Sequence, residues 1–294
     1  MIKETFVAVG HAARGLVRGW GGLALLHALY AAVLVLPYWF VATGVATAGV
    51  IYLSAVIAVV APLLFFVLQA AAAHFAVGET RAAPLARLAL RDFWKMLLVA
   101  LPLIALGVGL VYLLGWLQGK LPEVEVTAGR AADAAARATG GITTGPLPRP
   151  LAWQDVLVST LWLLLLGFVL PLVAAHLWLS VARDGLKATL RRFHRVAGRA
   201  FLPRSVLVYT VGLFLFGFMP YFIIFTRTPI TAAWGELFLF GLRLALAFGF
   251  TLWGWTITLG ALNALTTPPA AADDAPAAEP ETTGGAPAEP QLQT

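Results

Sequence analysis

The chain contains no cysteine, so disulfides, thiol nucleophiles and thiolate metal sites are excluded from any account of it. Charge is scarce as well. Asp, Glu, Lys and Arg make up 12% of the 294 residues against 60% apolar residues, and the mean hydropathy is +0.86. A water-soluble domain of this length covers its surface with far more charge. The scarcity is also uneven, because Gly19 to Gly78 contains no Asp, Glu, Lys or Arg at all. One helix needs about 20 apolar residues to cross the hydrocarbon core of a bilayer, so the composition reads as an integral membrane protein. Also missing are a phosphate-binding loop, a metal-spaced cluster, a nucleophile elbow and a convincing acid pair. The sequence therefore assigns no catalytic residue, no metal and no cofactor, and the expectation is a non-enzymatic protein.

What is present is a series of apolar runs. Six spans are expected, at roughly Trp20–Val41, Val50–Val77, Met96–Gly119, Val156–Ala182, Ser205–Thr226 and Phe240–Leu262. The fold class is all-α, a polytopic bundle over residues 1–265. Thr43, Gly44, Thr47 and Gly49 form the first outer turn, and Pro62 predicts a kink or tilt in the second span. Residues 120–155 read as a mobile loop rich in Ala, Gly, Thr and Pro. From residue 266 onward the chain has five acids and no base, and it reads as a disordered acidic tail. Residues 1–19 read as an uncleaved amphipathic segment rather than a signal peptide, with Phe6, Val9, Ala13, Leu16 and Trp20 on one side.

The formal charge of +6 and a pI near 10 do not point to nucleic acid, because the basic residues sit between apolar runs. Residues 183–204 hold seven of the twenty Lys and Arg against one acid, Asp184. Lys187, Arg191, Arg195 and Arg199 recur every fourth residue with Arg192 beside them, next to Leu186, Leu190, Phe193, Ala197 and Phe201. That pattern predicts an amphipathic helix on an anionic membrane surface. A second segment, Glu79–Lys95, repeats Arg87, Arg91 and Lys95 in the same way. Lys and Arg number fourteen on one side of the expected spans and six on the other. The positive-inside rule then puts both termini and all three basic segments in the cytoplasm. The preference for Arg over Lys, sixteen to four, suits a GC-rich bacterial genome, and the expected location is the bacterial inner membrane.

The chain reads as three units, each a basic amphipathic segment followed by a hairpin of two spans. A shift of 102 positions lays Phe66–His74, FVLQAAAAH, on Phe168–His176, FVLPLVAAH, and a shift of 183 lays Pro37 and Tyr38 on Pro220 and Tyr221. In the third unit Thr258 falls where the histidine would be. Membrane proteins built from repeats often place a functional cavity at the repeat interface. This layout resembles a group of uncharacterised bacterial six-span proteins related to the membrane domain of glycerophosphodiester phosphodiesterases. The resemblance covers residues 1–265 through layout alone. It implies a six-helix bundle and no established activity, and the catalytic barrel of those phosphodiesterases has no counterpart here.

Four polar residues stand out in or near the spans. His74 and His176 occupy matching contexts; imidazole ligates haem iron, and it also serves as an ordinary interfacial hydrogen-bonding group. His27 suits a polar contact between helices. Arg243 lies inside an apolar run, where it can snorkel outward or serve a polar path. Gly107, Gly109, Gly212 and Gly217 allow helices to approach closely. Trp20, Trp39, Trp94, Trp116, Trp153 and Trp234 fall near span ends, as an aromatic belt requires.

The leading expectation is a membrane scaffold or lipid-interacting module whose partners are membrane lipids with anionic headgroups, with a membrane protein as a further partner. Lys187, Arg191, Arg192, Arg195, Arg199, Arg87, Arg91 and Lys95 would make the headgroup contacts. The alternatives are a transporter or permease with a path near His27, His74, His176 and Arg243, and a haem- or pigment-binding subunit using His74 and His176. The topology is directly testable. Alkaline phosphatase fused within residues 120–155 should be active, and fused within 183–204 inactive; the reverse pattern would contradict the orientation.

Overall fold

The computed structural model describes residues 2–42, 48–120, 153–226 and 233–266. The expected acidic tail and nearly all of the 120–155 loop lie outside the described residues. Within them the chain is helical, with no strand. Six helical stretches are long and apolar enough to cross a membrane: Trp20–Ala42, Ile51–Val77, Ala82–Lys120, Val156–Asp184, Pro203–Phe225 and Ala233–Thr266. The protein is a multi-pass, all-α membrane protein.

A short helix, α1 (Ile2–Arg18), precedes the first hairpin, α2 (Trp20–Ala42) and α3 (Ala48–Val77). The second hairpin pairs α4 (Ala82–Lys120) with α5 (Trp153–Trp162) and α6 (Leu170–Asp184). Two small helices follow, α7 (Leu186–Arg191) and α8 (Phe193–Ala200). The third hairpin consists of α9 (Pro203–Leu213), α10 (Met219–Phe225) and α11 (Ala233–Thr266).

The fourth and fifth spans each contain a widened π turn, at Leu163–Val169 and Phe214–Phe218. Proline explains both. Pro171 and Pro220 lack an N–H and crowd the carbonyl four residues back. The Leu170 and Met219 N–H groups accordingly bond to Leu165 and Phe214, five residues back. The Gly167 carbonyl, which a residue other than proline at 171 would have bonded, instead accepts the Tyr209 hydroxyl at 3.3 Å. One interrupted backbone bond thus becomes a link between the fourth and fifth spans. Pro62, by contrast, lies in an uninterrupted helix.

Burial is concentrated at one end of the bundle, the end that carries the basic segments. In α3 the buried run is Phe66 to Phe75, while residues 51–65 are largely exposed apart from Ile57. In α6 every residue from Leu172 to Val181 is buried. Such a helix is enclosed on all sides, which is why its sequence has no polar stripe. α6 packs against α3, α4, α8 and α11 and acts as the hub. Ala70 to Ala73 of α3 and Ala174 and Ala175 of α6 are buried, and small side chains let such helices come close. The far halves of the spans carry most of the exposed large apolar residues, among them Tyr38, Tyr52, Tyr112, Phe225 and Phe238. All six tryptophans expected in the aromatic belt are exposed.

Three expectations about the basic segments need correction. Glu79–Lys95 is not a separate surface helix: residues 82–95 belong to the 39-residue helix α4, about 58 Å long at 1.5 Å per residue. Leu85, Ala89, Asp92, Met96 and Val99 form its buried stripe, so that segment is held by protein packing. The 183–204 connector is not one helix either; it breaks at Arg192 (φ −111°, ψ 18°), and the residues it buries are Thr189, Val196 and Ala200. Leu190 and Phe201 are exposed. In α1 the buried residues are Thr5, Ala8 and Leu16, on a helix that packs mainly on α11, while Phe6 and Trp20 face outward.

Of the glycines expected to permit close approach, Gly212 does so, since a methyl there would overlap the Thr258 side chain, and one at Gly107 would lie 3.3 Å from Leu170 of α6. Gly109 has open space around it, and the space beside Gly217 is limited by Leu213 of its own helix. Gly254, not singled out from sequence, abuts the backbone of Phe216 and Leu215. Gly212→Ala should therefore destabilise the detergent-solubilised protein by about 1–3 kcal/mol, read as a lower thermal-aggregation midpoint. Adding Thr258→Gly should recover part of the loss. Gly109→Ala should have little effect, and equal losses at Gly109 and Gly212 would contradict this packing.

Candidate functional site

The candidate residues fall into two groups, one turned inward to hold helices together and one turned outward. The inward group begins with His27. Its Nδ1 lies 2.7 Å from the Leu23 carbonyl and its Nε2 accepts the Trp253 indole N–H at 3.1 Å. The carbonyl can only accept, so the proton sits on Nδ1 and the ring is neutral. Both nitrogens are thereby used, tying the first span to the sixth. The sixth span is tied to the second in the same manner: Trp255 donates to Gln69 Oε1 at 2.9 Å, and Asn263 donates to the Ala76 carbonyl at 3.2 Å.

His74 and His176, paired by sequence context, play parallel parts. Each stands near the end of a returning span and reaches into the start of the next unit. His74 Nε2 meets Asp92 Oδ2 at 3.1 Å. His176 Nδ1 donates to its own helix at the Leu172 carbonyl, 3.0 Å, and Nε2 accepts from the Ser205 hydroxyl at 3.2 Å. An iron ligand must present a nitrogen lone pair, and the His176 Nε2 pair is already occupied by Ser205. Both ring nitrogens of His176 thus make helix contacts with named partners.

Asp92 is the functional-looking residue that sequence reading passed over. It is 4% exposed, and it gathers three cationic or donor groups. Lys95 Nζ lies at 2.5 Å from Oδ1, Arg91 Nε at 3.2 Å from Oδ1, and His74 at Oδ2. A buried carboxylate is tolerated when paired and hydrogen-bonded like this. The cluster has a consequence for the expected headgroup contacts. Lys95 and Arg91 are committed to Asp92, so of that segment's three expected lipid contacts only Arg87 is exposed without an ion pair among the described residues.

The outward group is the connector between the fourth and fifth spans. Its flanking arginines are engaged: Arg183 Nε pairs with Asp184 at 3.2 Å and its Nη1 donates to Thr266, and Arg204 pairs with Glu4 of α1 at 3.3 Å. Lys187, Arg191, Arg192, Arg195 and Arg199 are all exposed, and none makes an ion pair among the described residues. Exposed Leu190, Phe201 and Leu202 sit among them in the chain. Arg243 is half-buried in α11 and has an interaction of its own, whereas His27, His74 and His176 bond to Trp253, Asp92 and Ser205, outside that candidate set. Among the described residues there is no group of three or more His, Asp or Glu side chains suited to a metal ion.

The Asp92 cluster yields a prediction. Asp92→Ala leaves Lys95 and His74 without their anion and should destabilise the bundle by about 2–4 kcal/mol. Asp92→Asn should cost less, because the amide oxygen still accepts. Arg87→Ala, on the exposed side of the same helix, should stay within about 0.5 kcal/mol of wild type; the check is the thermal-aggregation midpoint in detergent. The chain matches no protein-family model, no curated protein and no solved structure.

Proposed function

We propose that this is a non-enzymatic protein of the bacterial inner membrane that engages anionic phospholipid headgroups through the connector between its fourth and fifth spans. The observation that carries the reading is the contrast among its basic residues. Arg91, Lys95, Arg183 and Arg204 are paired with acids, whereas Lys187, Arg191, Arg192, Arg195 and Arg199 are exposed and make no ion pair among the described residues. Unpaired cations next to apolar side chains at the end of two spans suit a surface that is both greasy and negative. Each such residue near an anionic surface contributes about 1 kcal/mol of attraction.

The orientation argued from the Lys and Arg distribution puts this face in the cytoplasm. The spans offer little to a coupled carrier: among the candidate path residues, His27 and His74 are used in helix-to-helix bonds. The likeness to the membrane domain of glycerophosphodiester phosphodiesterases is one of layout, and it adds no activity.

Purified protein in zwitterionic detergent, titrated with phosphatidylglycerol or phosphatidylcholine and weighed intact, should retain several phosphatidylglycerols and few phosphatidylcholines. Replacing Lys187, Arg191, Arg192, Arg195 and Arg199 with Gln should remove most of that preference. A preference left unchanged by the five substitutions would sink the proposal.

A further inference from the structure

A shallow depression open to solvent lies at the basic end of the bundle, lined by His176, Leu179, Ser180, Arg183, Val196, Arg199 and Thr266. It is bounded by the last turn of α6, by α8 and by the last residue of α11. Two arginines, Arg183 of α6 and Arg199 of α8, line it from different helices. Arg183 uses one N–H on Asp184 and one on Thr266, which leaves three of its five donors. Arg199 makes no ion pair or hydrogen bond through its side chain among the described residues. Leu179 and Val196 are buried walls, and apolar walls strengthen any charge–charge contact made between them.

The other polar groups in the lining are satisfied within the protein. His176 is held by Leu172 and Ser205, Ser180 meets Thr189 at 3.0 Å, and Thr266 donates to the Leu262 carbonyl at 3.0 Å. The unused hydrogen-bonding capacity of the cleft is therefore cationic and planar, the geometry that recognises phosphate oxygens in pairs. The partial negative charge of the helix ends and the carboxylate of Asp184 oppose an anion here. Asp184 is already neutralised by Arg183, and the end charges fall off within a turn, leaving Arg199 and the spare face of Arg183 dominant.

We propose that this cleft holds the phosphate of one anionic phospholipid headgroup between Arg183 and Arg199. The inference rests on the lipid-contact reading above and sharpens it from a diffuse belt to one defined site. The source of the phosphate is lipid because the cleft stands where two spans end. Exposed Phe201 and Leu202 follow Arg199 after one residue, Ala200, in the chain and offer apolar surface to acyl chains.

The test separates the cleft from the belt by stoichiometry. Intact full-length protein is titrated with phosphatidylglycerol and weighed in its lipid-bound states, as wild type, as R183Q/R199Q, as R199Q alone and as K187Q/R191Q/R192Q/R195Q. The wild type should bind a first lipid more tightly than later ones. R183Q/R199Q should weaken that first lipid roughly tenfold or more, the scale of a lost charge-assisted contact. R199Q, whose side chain has no partner to orphan, should weaken it without disturbing the fold. The belt variant should keep the first lipid and lose the later ones. An unchanged first lipid in both R199Q and R183Q/R199Q overturns the cleft while leaving the belt standing. If the belt variant keeps its later lipids, the belt reading fails by itself. If inorganic phosphate at matched concentration displaces the first lipid, the site takes a soluble anion and the lipid assignment is overturned.

Discussion

In a bilayer the apolar surface of one helix gains little by leaving lipid for another helix, since acyl chains are as apolar as leucine. A six-span bundle must therefore be held by close packing of small side chains and by hydrogen bonds worth about 0.6 kcal/mol each. This protein concentrates both at one end. The alanine run of α3 and the enclosed α6 supply the packing. The polar ties are His27 to Trp253, Gln69 to Trp255, Asn263 to Ala76, His74 to Asp92 and His176 to Ser205. Beyond that end the spans present large apolar residues outward, as surfaces solvated by lipid do.

The same constraint explains how the protein can offer cations at its basic end without collapsing on them. Among the described residues the acids near that end are engaged: Asp92 with Lys95 and Arg91, Asp184 with Arg183, Glu4 with Arg204, and Glu79 with the Arg81 backbone N–H. Among the described residues the densest set of cations without an ion pair is the row from Lys187 to Arg199, carried on two short helices that bury Thr189, Val196 and Ala200. A firmly packed inner face with a basic outer face is the arrangement that the proposed headgroup contact would use.

The spans were legible in the sequence because length and apolarity alone decide whether a helix can cross hydrocarbon. The two histidines were legible as a pair because they recur in matching contexts. Their partners were not, since Asp92 and Ser205 lie 18 and 29 residues away and which face each helix turns inward has no local signature. Asp92 was hidden by its neighbours, since an acid between Arg91 and Lys95 looks like part of a solvated face. Periodicity misled in the connector, where the apolar stripe through Leu190 and Phe201 was expected to be one helix. The break at Arg192 turns the buried side to Thr189 and Val196 instead. The π turns were foreshadowed by Pro171 and Pro220, but proline alone does not say whether a helix bends, widens or runs straight, as it does at Pro62.

The central claim is that packing is concentrated at the basic end, and the absence of cysteine makes it directly measurable. Single cysteines placed along α3 from residue 51 to 75 in reconstituted protein can carry nitroxide labels, with collisional exposure to oxygen recording lipid contact. The account predicts high exposure across 51–65, interrupted at 57, and a collapse to low values from 66 to 75. A profile that oscillates with helical period along the whole segment, with one protected stripe reaching residue 51, would contradict it.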